Sequence, residues 1–180
     1  MGDSKRHEET GVAKLRRMYI DCRYGQLHLT AAYPQSGGFD EARPLVYLHS
    51  EDGSGAEFNR CAALLGVDRS VYAPDLPGTG ASDGPGGRPT LEGQAAGIFD
   101  LLEQLGLREV DVAGSGRGAE LAVALAAARG PAIRRLVVAG LPAAAAAPAQ
   151  ALHRLSGGKS FVDGDAGAVV AEMRTFLDRA

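Results

Sequence analysis

The 180-residue chain predicts a doubly wound, mostly parallel α/β sheet with helices on both faces. Three observations carry that expectation. Short, almost continuously apolar runs, such as Pro44-Leu45-Val46-Tyr47-Leu48-His49 and Ser70-Val71-Tyr72-Ala73-Pro74, are the mark of strands covered on both sides. Segments of helical length and period separate them. The run Val110-Asp111-Val112-Ala113 then meets glycines at 114, 116 and 118 and passes at once into an Ala-rich helix. A strand-to-helix turn that tight needs small side chains on both flanks.

Composition narrows the classes before any motif is read. The chain is 45% hydrophobic and 23% charged with a net charge of −3, which fits a soluble globular protein. No basic face interleaved with aromatics suggests a nucleic-acid partner. Residues 1–17 mix both charge signs around no apolar stretch, so they read as a flexible tail rather than a leader or membrane span. Residues 18–180 then form a single domain, with an Ala/Pro linker over 142–150. Cys22 and Cys61 are far apart and match no metal spacing, so free thiols in a cytoplasmic protein are expected. No metal and no cofactor are expected.

The elements follow in order. Residues 18–22 and 26–31 alternate around Arg23-Tyr24-Gly25 and predict an antiparallel pair. The strand at 44–49 leads through a Gly-rich loop, 50–55, into a helix from Ala56 to about Leu65. The strand at 70–74 opens a long loop of Gly, Pro, Ser and Asp over 75–87. Thr90 caps a helix whose Leu91, Ala95, Ile98, Leu102 and Leu105 keep the 3.6 period, and Gly106 ends it. The strand at 109–113 enters the glycine turn. The helix at 119–128 is apolar almost all round, which predicts deep burial, and Gly130 stops it. A strand at 133–139 follows, and a helix from about Ala166 presents Val169, Met173, Phe176 and Leu177 on one face. Ligands of such sheets bind at the carboxyl ends of the strands. His49, the loop at Asp75 and the turn at Ser115, Gly116 and Arg117 all fall there.

Two devices use a turn of this shape. The dinucleotide fingerprint G-x-G-x-x-G/A fits Gly114, Gly116 and Ala119 literally, but it belongs in the first βαβ unit with an acid at the end of the next strand. Here the turn follows the third parallel strand, and the next strand ends Val138-Ala139-Gly140-Leu141-Pro142. The other device is the nucleophile elbow, G-x-S-x-G.

Three motifs in order resemble the α/β-hydrolase superfamily. Leu48-His49-Ser50 with Glu51 to Gly55 resembles its H-G loop. Tyr72-Ala73-Pro74-Asp75-Leu76-Pro77-Gly78-Thr79-Gly80-Ala81-Ser82-Asp83 resembles its APDLPGxGxSD loop and is the most specific of the three. Gly114-Ser115-Gly116-Arg117-Gly118 resembles the elbow. The likeness covers roughly 18–141, and 157–177 looks like the family's final loop and helix. It implies an α/β-hydrolase-like sheet truncated at its C-terminal edge, with the cap and the seventh strand missing. The strand at 133–139 would then be a sheet edge, and exposed edges invite pairing. A homodimer or a protein partner covering that edge is expected.

The departures from the family bear on chemistry. Gly116 stands at the nucleophile position and Ser50 at the H-G glycine, and Gly158-Lys159-Ser160-Phe161-Val162 lacks the histidine the family carries there. His153 is the nearest, out of alignment. The resemblance therefore implies no Ser-His-Asp mechanism. Ser115, His49 and Ser50 are the remaining catalytic candidates. Against Ser115 as nucleophile, the position two residues on would be Arg117, too large for the turn. His49 is expected to orient loops, Asp75 to tie down its own loop, Asp163 and Asp165 to cap the last helix, and Glu120 to complement a helix dipole. For ligand binding the candidates are Ser50, Ser115, Gly116 and Arg117. The family's oxyanion donors would be the Arg117 and Ser50 amides, a helix N-terminus favours anions, and a bare Gly116 leaves room for a carbonyl or carboxylate. The expected function is a degenerate hydrolase-like protein that binds a small carbonyl or carboxylate compound, or serves as an accessory or scaffold. The alternative is an enzyme with a rebuilt site, a lyase, isomerase, cyclase or atypical hydrolase acting on a small metabolite.

Overall fold

In the computed structural model, residues 11–35, 42–87, 89–142, 151–155, 160–162 and 164–179 are described. Among these residues seven strands form one sheet. They are β1 (Leu15–Cys22), β2 (Gly25–Ala32), β3 (Ala42–Leu48), β4 (Arg69–Pro74), β5 (Val110–Ser115), β6 (Ile133–Ala139) and β7 (Ala151–Arg154). Their spatial order is β1-β2-β4-β3-β5-β6-β7. β1 and β2 run antiparallel, β2 meets β4 antiparallel, and every pair from β4 to β7 is parallel. Among the described residues four α-helices cover the sheet: α1 (Asn59–Leu65), α2 (Leu91–Gln104), α3 (Arg117–Ala128) and α4 (Ala166–Leu177). A short 3-10 turn, Gly55–Phe58, precedes α1.

The period-2 alternation of buried strands explains the two covered faces. Leu45 and Tyr47 of β3 enter the core beneath α1 and α4, with Phe58, Cys61, Val169, Met173 and Phe176. Val46 and Leu48 enter the core beneath α2 and α3, with Ile98, Leu101, Leu121 and Leu125. At about 25 cal/mol per Å² of apolar surface removed from water, burial on both faces is what holds the central strands.

Two expectations need correction. β1 begins at Leu15, three residues inside the expected tail. Its charged Arg16 and Arg17 sit on an edge strand, where one open side accepts charge. The sheet also has a seventh strand: β7 pairs in parallel with β6, so the edge is β7 and not β6. β7 is four residues, Ala-Leu-His-Arg, without a β-branched side chain, and carries almost no strand signal. Most of the Ala/Pro linker (143–150), 156–159 and Asp163 lie outside the described residues. Among the described residues no helix is long and apolar enough to cross a membrane.

The topology sets the position of the site. After β3 the chain goes one way to β4, then returns to β5 on the other side of β3. Loops leaving β3 and β5 therefore part at a crevice at the carboxyl edge, and Leu48 lies beside Gly114 in register.

Candidate functional site

The turn between β5 and α3 is an elbow centred on Gly116, with φ 49° and ψ −117°. Its amide donates to Ala139 O of the neighbouring strand at 2.9 Å. Close packing forces the flanking glycines. A Cβ on Gly114 would fall 2.5 Å from Gly118 O, and one on Gly118 would overlap Leu48 O and the adjoining backbone. Gly116 differs, because a Cβ there would meet nothing nearer than the Ser50 Cβ at 3.8 Å, an ordinary contact. The nucleophile position thus has space for a side chain and carries none.

Ser115 does not take that place. Its Oγ lies 2.8 Å from Tyr47 Oη and 3.5 Å from Glu57 Oε2. Ser50 belongs to the same group, its Oγ donating to Glu57 Oε1 at 2.6 Å and its amide to Glu57 Oε2 at 3.3 Å. Tyr47 Oη donates to Glu57 Oε2 at 3.0 Å. The Tyr47 ring is held flat on Phe58, with centroids 4.3 Å apart, and edge-on to Phe161. Burial, aided by the nearby Glu57, pushes the Tyr47 phenol far above its ordinary value, although its bond with Ser115 opposes the shift. Glu57 is the residue the sequence reading missed. A signal was present: a tyrosine at the carboxyl end of a buried strand needs a partner for its hydroxyl.

The anion-binding expectation changes accordingly. The Ser50 amide, one of the two donors that the resemblance implies, already faces a carboxylate of the chain itself. The other donor would be the Arg117 amide at the first turn of α3, where backbone N–H groups lack intrahelical acceptors. The Arg117 side chain lies apart from the elbow cavity, lining a separate hollow of about 250 Å³ with Glu51, Asp52 and Thr79.

His49 is fully buried and both ring nitrogens are engaged. Nδ1 is 2.6 Å from Ser50 O, and Nε2 accepts from Leu76 N at 2.9 Å and lies 3.0 Å from Thr79 Oγ1. It joins the two loops. Asp75 receives the Gly55 and Ala81 amides, each at 2.9 Å, and sits 3.0 Å from His28 Nδ1. Burial alone would raise the Asp75 carboxyl, but those two amides and His28 outweigh it and hold it below its ordinary value. His153 pairs with Glu172 at 2.7 Å and stacks on Phe176. Each described histidine is therefore engaged by a hydrogen-bond partner outside the elbow. Asp165 caps α4 through the Gly167 and Ala168 amides. Among the described residues no group of three or more His, Cys, Asp or Glu could hold a metal ion.

A cavity of about 510 Å³ opens in front of the elbow, lined by Ser115, Gly116, Ala139, Gly140, Arg154 and Ser160 among others. It is concave, mixed in polarity and at the carboxyl edge of the sheet, where ligands of this architecture bind.

This geometry has relatives among solved structures. The epoxide hydrolase of Vigna radiata is similar at 19% identity over 71% of this chain and 40% of that one, with a TM-score of 0.64. The epoxide hydrolase CorEH is similar at 23% identity over 76% and 47%, with a TM-score of 0.64. A serine-to-glycine mutant of the N-acyl homoserine lactonase AidH, complexed with N-hexanoyl homoserine lactone, is similar at 26% identity over 71% and 46%, with a TM-score of 0.61. The chain spans less than half the length of these proteins. No family model and no curated protein matches the sequence. Strand order, elbow and neighbours define the class: the fold is that of the α/β-hydrolase superfamily.

Proposed function

We propose that this chain is a non-nucleophilic member of the superfamily that binds a small carbonyl compound in the cavity beside Gly116. The observation that carries the reading is the elbow itself: built as for a nucleophile, open in front, and without a side chain to attack with. The described histidines support it, since each has a ring nitrogen held by a group other than a serine hydroxyl: His28 by Asp75, His49 by Ser50 O and Thr79, and His153 by Glu172. A carbonyl suits the site better than a carboxylate because Glu57 sits on the Ser50 amide, and two carboxylates there would repel. The complex of a neighbour with N-hexanoyl homoserine lactone makes that compound the first probe. The expected result is saturable binding by calorimetry with no lactone opening by the wild type. Lactone opening that disappears in Ser115→Ala would overturn this in favour of a rebuilt-site enzyme. One observation favours that second reading: the Ser115 hydroxyl is hydrogen-bonded towards a carboxylate through Tyr47.

We also propose that the outer edge of β7 is covered by a second copy of the chain or another protein, since a strand edge leaves backbone groups unpaired. A cytoplasmic location is supported by two free cysteines, Cys22 and Cys61.

A further inference from the structure

The group around Glu57 determines where one hydrogen lies. A carboxylate only accepts, and Glu57 accepts from Ser50 Oγ, Ser50 N and Tyr47 Oη. Tyr47 has a single hydroxyl hydrogen, and it goes to Glu57. The 2.8 Å contact between Tyr47 and Ser115 then has one direction, with Ser115 donating and Tyr47 accepting. The longer contact of Ser115 with Glu57 draws on the same hydrogen. By either route the Ser115 hydrogen is turned into the protein. The order is locked mechanically, because Tyr47 is fully buried and clamped between Phe58 and Phe161. Gly53 closes the other side, since a Cβ there would overlap the Glu57 carboxylate.

Ser115 also lines the elbow cavity. With its hydrogen directed inward, it has only lone pairs to offer a ligand. We propose that Ser115 is the hydrogen-bond acceptor that reads the ligand, and that the ligand class is a neutral secondary amide, an N-acyl compound whose N–H faces Ser115 Oγ. Glu57 and Tyr47 are positioning residues that keep Ser115 in the accepting state. An ester or lactone alone has no hydrogen to give, and a carboxylate adds a repulsive charge beside Glu57. A site built to pair a donor rejects the analogue that lacks it. The inference rests on the binding reading above and narrows it to a substrate class.

The test uses three matched probes, N-methylhexanamide, methyl hexanoate and hexanoate, titrated into the ¹⁵N-labelled full chain while the Gly116 and Gly140 amide resonances are followed. The expected result is a Kd for the amide about tenfold below those of ester and carboxylate, a ratio that falls below about threefold in Ser115→Ala. Glu57→Gln should erase the preference in the same way. A glutamine amide also donates, so the Tyr47 hydrogen bond can reverse and the Ser115 hydrogen can turn outward. Should Glu57→Gln fail to fold, the wild-type ratio and Ser115→Ala still decide. Equal affinity for amide and ester, or a preference retained in Ser115→Ala, overturns the inference and leaves carbonyl binding standing, whereas tighter binding of hexanoate overturns the carbonyl reading and this inference together. Silence of all three probes at the elbow overturns the binding reading itself, and this inference with it.

Discussion

Three glycines two residues apart serve two different needs at the elbow. Gly114 and Gly118 are glycine for want of space, whereas Gly116 is glycine for its backbone conformation alone. Replacing Gly118 by alanine should destabilise the protein by about 2–3 kcal/mol, because backbone must move to admit a methyl group. Gly116→Ser should cost only about 1 kcal/mol, the strain of a positive φ, and should bring no hydrolysis, since each described histidine is engaged by another partner. Urea unfolding of both variants checks the ranking. Asp111 makes a second residue-scale prediction. It is wholly buried on β5, with neither carboxylate oxygen in a hydrogen bond and Arg43 at 3.5 Å. Burial pushes its pKa up to about 6, although Arg43, Arg135 and Arg69 pull the other way. The folded state therefore holds this proton more tightly than the unfolded chain does. Its contribution is complete below about pH 4 and is lost as the pH rises towards 6, a change of about 2–3 kcal/mol. The stability difference between wild type and Asp111→Asn, followed from pH 4 to 7, should shift by that amount.

At the scale of elements, helix ends carry the most readable signals. Thr90 accepts the Gly93 amide at 3.1 Å, and Asp165 accepts that of Gly167 at 2.9 Å. Thr90→Ala and Asp165→Ala should each cost about 1 kcal/mol, and the double variant their sum, because the two helices lie on opposite faces of the sheet. Thermal unfolding of the three variants tests this. Both caps were legible in the sequence, as were the buried strands and the elbow, since each rests on local chemistry: an N-cap oxygen, a doubly covered apolar run, glycines at alternate positions. β7 was not legible because its pairing with β6 comes from position in the fold and not from its four residues. Glu57 was hidden for a related reason. In sequence it reads as an acid at the start of a helix, and only the turn at Gly55–Phe58 brings it to Ser50, Tyr47 and Ser115.

For the whole molecule, the sheet has β1 at one edge and β7 at the other. The Leu155 amide donates to Val138 O on β6, so the Arg154 amide, one residue back, faces outward. Arg154→Pro removes that donor without touching the β6–β7 ladder. Light scattering should find a dimer in the wild type and in Arg154→Ala, and a monomer in Arg154→Pro. A wild type monomeric across a wide concentration range would exclude a second copy at this edge.

The carboxylate lodged against the Ser50 amide bears on what the fold could become. In a working hydrolase of this architecture that amide would be left open for negative charge arising during the reaction. Here the side chain of Glu57, from the same connection, already rests against it, with Gly53 packed beside that side chain. A serine placed at 116 would supply an attacking group, with only the Arg117 amide of the two expected donors left open to stabilise what it makes.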